Sequence, residues 1–138
     1  MRAMWIAGIA LLSSAAIAHA ADTPQVTIAP VAKTNTTLDG KPIEVPAHPT
    51  VMVSVATFTS GAALPEHKHP YPHYIYVLEG TLTITDNDTG KSFTAKQGDF
   101  VVETTGWHFG KNNGTETVKL LGIDQLPDGV DSNRVLKK

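Results

Sequence analysis

Residues 61–80 read GAALPEHKHPYPHYIYVLEG, three histidines followed at once by a β-branched and aromatic run. His67, His69 and His73 share parity, so on an extended backbone their imidazoles leave one face and can converge on a single ion. Imidazole binds in its neutral form and suits iron, copper, nickel and zinc, with manganese also in range of such a site. A fourth histidine, His108, lies far downstream. Four imidazoles from two strands fill four positions around a divalent ion and leave two open on an octahedral one. Pro70 and Pro72 cannot donate to a ladder, so a bulge or edge is expected between the second and third histidines, and strict alternation need not run through it.

Working outward, the chain reads as short strands separated by turn chemistry, with no long helical periodicity. Strands are expected at 26–31 and 42–45 around a Leu38-Asp39-Gly40 turn, at 51–59, and at 74–78 and 81–85 joined at Glu79-Gly80. Further strands are expected at 91–95, 100–103 and 117–124, with turns at 87–90 and at Gln97-Gly98-Asp99. Val51, Val53 and Val55 alternate against Met52, Ser54, Ala56 and Phe58, as a strand between two layers would. Strands at such regular intervals with Gly and Asx turns indicate an all-β sandwich or barrel.

The first twenty residues carry one positive charge at Arg2, an apolar stretch over 5–18, and a closing Ala18-His19-Ala20. That is the pattern of a cleaved signal peptide, so the mature chain is expected to begin near Ala21 in the periplasm or outside the cell; the competing reading is a buried helix. No cysteine follows to carry a lipid, and no Arg-Arg pair precedes the stretch. The chain would then cross the membrane unfolded and meet its metal outside the cytoplasm.

Beyond residue 20 lie 118 residues with ten of the eleven basic and all thirteen acidic side chains. That length suits one domain, divided into an N-terminal arm with strands at 21–50, a barrel core at 51–125 and a polar tail at 126–138. The absence of cysteine permits neither a disulfide nor a thiolate zinc site. A mildly acidic chain without a basic patch offers no footprint for nucleic acid, nor a surface for the membrane once the leader is gone, which leaves a small molecule or anion as the partner. The triplets at Asn35, Asn87 and Asn113 are glycosylation acceptors in a eukaryotic secretory route and turn residues otherwise. His48, between Ala47 and Pro49, reads as an ordinary surface histidine.

The segment 61–80, G-x5-H-x-H-x3-H-x6-G, resembles the first motif of the cupin superfamily, with His73 in the usual glutamate position. Residues 98–112 resemble the second motif through Gly98, Gly106, His108 and Asn112, although Thr104 replaces the proline and one residue is missing between Gly106 and His108. The resemblance implies a jelly-roll β-barrel of two packed antiparallel sheets, a metal inside near one mouth, His67, His69, His73 and His108 as its ligands, and a homodimer paired through N-terminal strands. Three histidines and a carboxylate leave a divalent site at net +1, whereas four neutral histidines leave +2 and favour an anionic ligand more strongly. Small cupins of this pattern are similar to metal-dependent oxygenases.

Around the motifs, Ile75 and Val77 share parity with His73 and are expected to line the interior. Trp107 is read as core packing or a pocket wall, and Tyr71, Tyr74 and Tyr76 as strand formers or a phenol near substrate. Glu66 and Glu103 are the carboxylates available as general base or as acceptor for a histidine N–H, against an ordinary reading as solvated residues. Asp99 reads as turn chemistry. Three functions follow: an oxygen-dependent, dioxygenase-like enzyme on a small organic substrate; a non-catalytic periplasmic binder or sensor of metal or small anion; and a zinc hydrolase or lyase, for which four histidines are a poor match.

Overall fold

The computed structural model of the chain describes residues 24–138, so the leader read at 1–20 lies outside the described residues. Nine strands follow in order: β1 (Thr50–Phe58), β2 (His67–Lys68), β3 (Tyr74–Glu79), β4 (Thr81–Asp86), β5 (Ser92–Lys96), β6 (Phe100–Val102), β7 (His108–Lys111), β8 (Val118–Leu126) and β9 (Val135–Leu136). They form two antiparallel sheets, β1-β8-β3-β6 and β5-β4-β7-β2-β9, the two layers of a jelly-roll barrel.

Between residues 50 and 126 strands form where alternation predicts them, and Gly80 shows why the β3–β4 turn is so tight. Its φ is +77°, and a Cβ there would stand 2.7 Å from the Thr117 carbonyl, so glycine alone fits. Period-two alternation divides the interior into two ends. Phe58, Ile75, Val77, Leu82, Ile84, Val118 and Leu120 fill one end with hydrocarbon. Along β8 the inward row continues as Leu120, Gly122 and Asp124, passing from that core into a polar end.

Two segments differ from the sequence reading. No strand forms at 26–31 or 42–45; the arm holds a turn at 37–41 and one bridge, Thr36 to Pro42. Val26 and Ile28 are each 90% exposed, since nothing within the described chain pairs with them. Conversely, the polar tail returns to the barrel. Leu136 and Val135 of β9 pair with His67 and Lys68 of β2, and Asn133 is buried. Local sequence could not reveal this, because a two-residue strand has too little periodicity to be seen.

Asn112 closes the apolar end. Its amide donates to the carbonyls of Phe58, Thr59 and Glu116 at 2.7–3.2 Å, and its oxygen accepts from the Gly114 N–H. Asn112→Ala leaves those buried groups without partners and is expected to destabilise the fold by about 2 kcal/mol. Chemical denaturation checks it, and a change below about 0.5 kcal/mol would deny Asn112 that role.

Candidate metal centre

His67 and His108 are direct partners across the antiparallel β2–β7 ladder, so their side chains leave the same face of the sheet. His69 lies just past β2, His73 just before β3, and Glu103 just after β6. The Glu103 N–H donates to the His73 carbonyl at 2.9 Å, which carries the end of β6 into the polar half of the barrel. His67, His69, His108 and Glu103 are all buried. One ligand atom from each lies within 4.8 Å of every other.

The outer hydrogen bonds decide what these rings present inward. Nδ1 of His67 donates to the Pro65 carbonyl at 2.7 Å, Nδ1 of His69 to that of Asn133 at 2.7 Å, and Nδ1 of His108 to that of Gly106 at 2.8 Å. A carbonyl accepts only, so each Nδ1 carries the hydrogen and each neutral ring keeps its Nε2 lone pair facing the interior. The Nε2 atoms of His69 and His108 are buried without a hydrogen-bond partner, and each stands 3.4 Å from a Glu103 oxygen. Lone pairs gathered around a carboxylate repel unless a cation lies between them, so the donor set fits a metal ion.

The ionisation of the metal-free cluster agrees. Burial pushes the His67 imidazole down to about 4, keeping it neutral near pH 7. For Glu103, burial alone would raise the carboxyl, but the His108 and His69 imidazoles standing 3.4 Å from it outweigh burial and hold the group well below the usual range. Burial likewise opposes charge on His108, yet the Glu103 carboxylate beside it raises the imidazole above its ordinary value. A proton on His108 thus does part of what a cation would do.

His73 is placed differently. It belongs to a second group with His69 and Asp124. Its Nδ1 donates to the Asp124 carboxylate at 2.6 Å, and Asn133 donates to the same oxygen at 3.0 Å. His73 is thus grouped with His69 and Asp124 rather than with all four residues of the first group, while it borders the same cavity as His67 and Glu103. Its charge partner Asp124 is held below the usual carboxylate range, the His73 and Asn133 hydrogen bonds outweighing burial.

Glu103, weighed in the sequence only as an accessory carboxylate, sits at the centre. The signal that could have found it was present: the first motif lacks its glutamate, and Glu103 is an acid at the end of an apolar run inside the second. Glu66 instead pairs with Lys137 at 2.6 Å on the surface. Trp107 faces outward between the Lys68 and Lys137 ammonium groups rather than toward the site. Ile75 and Val77 are interior, and Asp99 caps the turn by accepting the Lys96 N–H. His48 is exposed and stands outside both clusters. Beside the centre lies a cavity of about 40 Å³ bordered by Phe58, His67, His73, Leu120 and Arg134, among others; none of the three tyrosines borders it.

The Cupin domain family (Cupin_2) matches residues 54–124, just over half of the chain, including both histidine motifs, Glu103 and Asp124. The chain is a cupin. Solved structures that share its fold include the oxalate decarboxylase of Lactobacillus farciminis, at 20% identity over 63% of this cupin and 26% of that chain, with a TM-score of 0.53. The DMSP lyase DddQ of Ruegeria pomeroyi DSS-3 aligns at 18% identity over 63% of this cupin and 43% of that chain, with a TM-score of 0.52. The polyketide cyclase RemF of Streptomyces resistomycificus aligns at 21% identity over 60% of this cupin and 63% of that chain, with a TM-score of 0.48. In each case the aligned part is less than two thirds of the other protein. Comparison with curated proteins found no match.

Proposed function

We propose that this cupin is an exported, oxygen-dependent enzyme of dioxygenase type, in which His67, His69, His108 and Glu103 hold one divalent transition-metal ion beside a small organic substrate. The observation that carries the reading is the pair of buried Nε2 atoms, on His69 and His108, that have no hydrogen-bond partner among the described residues and face the Glu103 carboxylate at 3.4 Å. With Glu103 in the set, the loaded centre has net charge +1 rather than the +2 of four neutral histidines. When bound, the ion supplies open positions for substrate oxygens and electrons for dioxygen.

The chain's own residues do the rest. Backbone carbonyls fix the tautomers of three histidines, Asp124 fixes His73, and Phe58, Ile75, Leu82 and Leu120 make the inner wall apolar, which limits water around the substrate. Non-catalytic binding of a metal or small anion is the second reading, favoured by the small size of the cavity. Val51, Val53 and Val55, about 60% exposed along edge strand β1, provide the surface for a homodimer. Sedimentation of the mature chain checks that assembly.

Elemental analysis of protein recovered from its own export compartment is expected to find about one iron or manganese per chain, with oxygen uptake on small enediols or diketones. Zinc without oxygen uptake would exclude the oxygenase reading. A metal-free isolate indifferent to chelators would exclude the metal. Metal uptake should also release a proton, because His108, raised by Glu103, is protonated below its shifted pKa and must lose that proton to bind. Affinity therefore rises with pH, by up to about tenfold per unit, and levels off above that pKa. Calorimetry in buffers of different ionisation enthalpy reads the proton directly.

A further inference from the structure

We propose that Arg134 anchors the carboxylate of a small anionic substrate at the mouth of the barrel and so determines the specificity of the site. The proposal rests on the metal-centred reading for where the remainder of that substrate lies. Arg134 is the only arginine beyond residue 20, and it borders two spaces at once. One is the inner cavity, shared with His67, His73 and Glu103; the other is an outer recess shared with Ser54, His69 and Asp124. Its side chain thus stands where a ligand would pass from solvent to the centre.

The guanidinium has no hydrogen-bond acceptor among the described residues. Among the described residues no carboxylate lies within 4.0 Å of it, and the site's two carboxylates are engaged elsewhere: Asp124 by His73 and Asn133, Glu103 by His69 and His108. A planar guanidinium matches a carboxylate in a two-pronged fork, which ammonium groups cannot do.

The backbone beneath it is already ordered. Asn133 donates to the Tyr71 carbonyl at 2.9 Å and to Asp124 at 3.0 Å, accepts from the Tyr71 N–H at 3.1 Å, and its carbonyl takes the His69 Nδ1 hydrogen at 2.7 Å. The Arg134 N–H donates to the Ser132 hydroxyl at 3.1 Å, and Val135 pairs with Lys68. Arg134 is itself exposed, but with the backbone fixed on both sides of it only the side chain must be ordered on binding, less than on a loose tail. The inner cavity of about 40 Å³ admits roughly three water-sized groups and the outer recess offers about 240 Å³, so a small carboxylic acid of two to four carbons would turn a second oxygen inward toward the centre and leave its carboxylate in the recess beside Arg134.

The test is calorimetric titration of metal-loaded and metal-free protein with a panel of two- to four-carbon carboxylates and their primary amides. At least one carboxylate should bind the wild type, Arg134→Gln should weaken it about tenfold or more, and Arg134→Lys should recover part of the loss. Amides should bind weakly to all three. Equal carboxylate affinity in wild type and Arg134→Gln, equal binding of amide and carboxylate, or no carboxylate binding at all would overturn the assignment. Metal uptake measured on the same samples separates the two readings: protein that takes up no metal yet binds carboxylate in an arginine-dependent way supports Arg134 while sinking the metal centre, and metal-replete protein with arginine-independent binding does the reverse.

Discussion

Glu103→Gln is expected to lower affinity for a divalent ion by roughly a hundredfold or more, with the strand content of the protein unchanged. The substitution keeps the shape of a buried side chain and removes its charge. It also gives the new amide a hydrogen to offer one of the imidazoles, since the Nε2 atoms of His69 and His108 each stand 3.4 Å from the Glu103 carboxylate. The metal-free variant is therefore better satisfied internally, while the loaded one loses a ligand and the charge that offset the ion. Both changes act against binding. Competition with a chelator of known affinity reads the difference, and a value within about threefold of wild type would remove Glu103 from the ligand set.

Gly122→Ala is expected to destabilise the protein by about 3 kcal/mol, lowering the midpoint of thermal unfolding by roughly 10 °C. A Cβ at this position would stand 2.9 Å from Cε1 and 3.0 Å from Nε2 of His73, and 3.2 Å from the Ser54 hydroxyl. The ring cannot simply swing aside. Asp124 holds its Nδ1 at 2.6 Å, and displacing it leaves a buried carboxylate with Asn133 as its remaining side-chain partner. Calorimetric unfolding checks the size of the effect. An unchanged midpoint would show that His73 is free to move and that the Asp124 pair contributes little.

The barrel strands were largely legible because their signals are local. Alternation over 74–78 and 81–85, punctuated by Glu79-Gly80, specifies a hairpin whatever lies elsewhere, and the observed strands run Tyr74–Glu79 and Thr81–Asp86. The arm failed for the converse reason: alternation at 26–31 supplies a strand-like pattern, but a strand also needs a neighbour, and none of the described residues provides one. The C-terminal segment was missed because its attachment rests on a two-residue ladder to β2 and on Asn133, whose partners His69 and Tyr71 lie sixty-odd positions away along the chain.

By itself the sequence determined the closed β architecture and the nomination of His67, His69, His73 and His108, since parity, turns and ligand chemistry are written into neighbouring residues. Only the tertiary structure decided how those four divide. Three have Nδ1 bound to backbone carbonyls and face Glu103, while His73 is drawn to Asp124 on another strand. The physical reason is that the orientation of an imidazole is set by the acceptor behind it, and in two of the four cases, His69 and His73, that acceptor is remote in sequence and adjacent only once the sheets have closed.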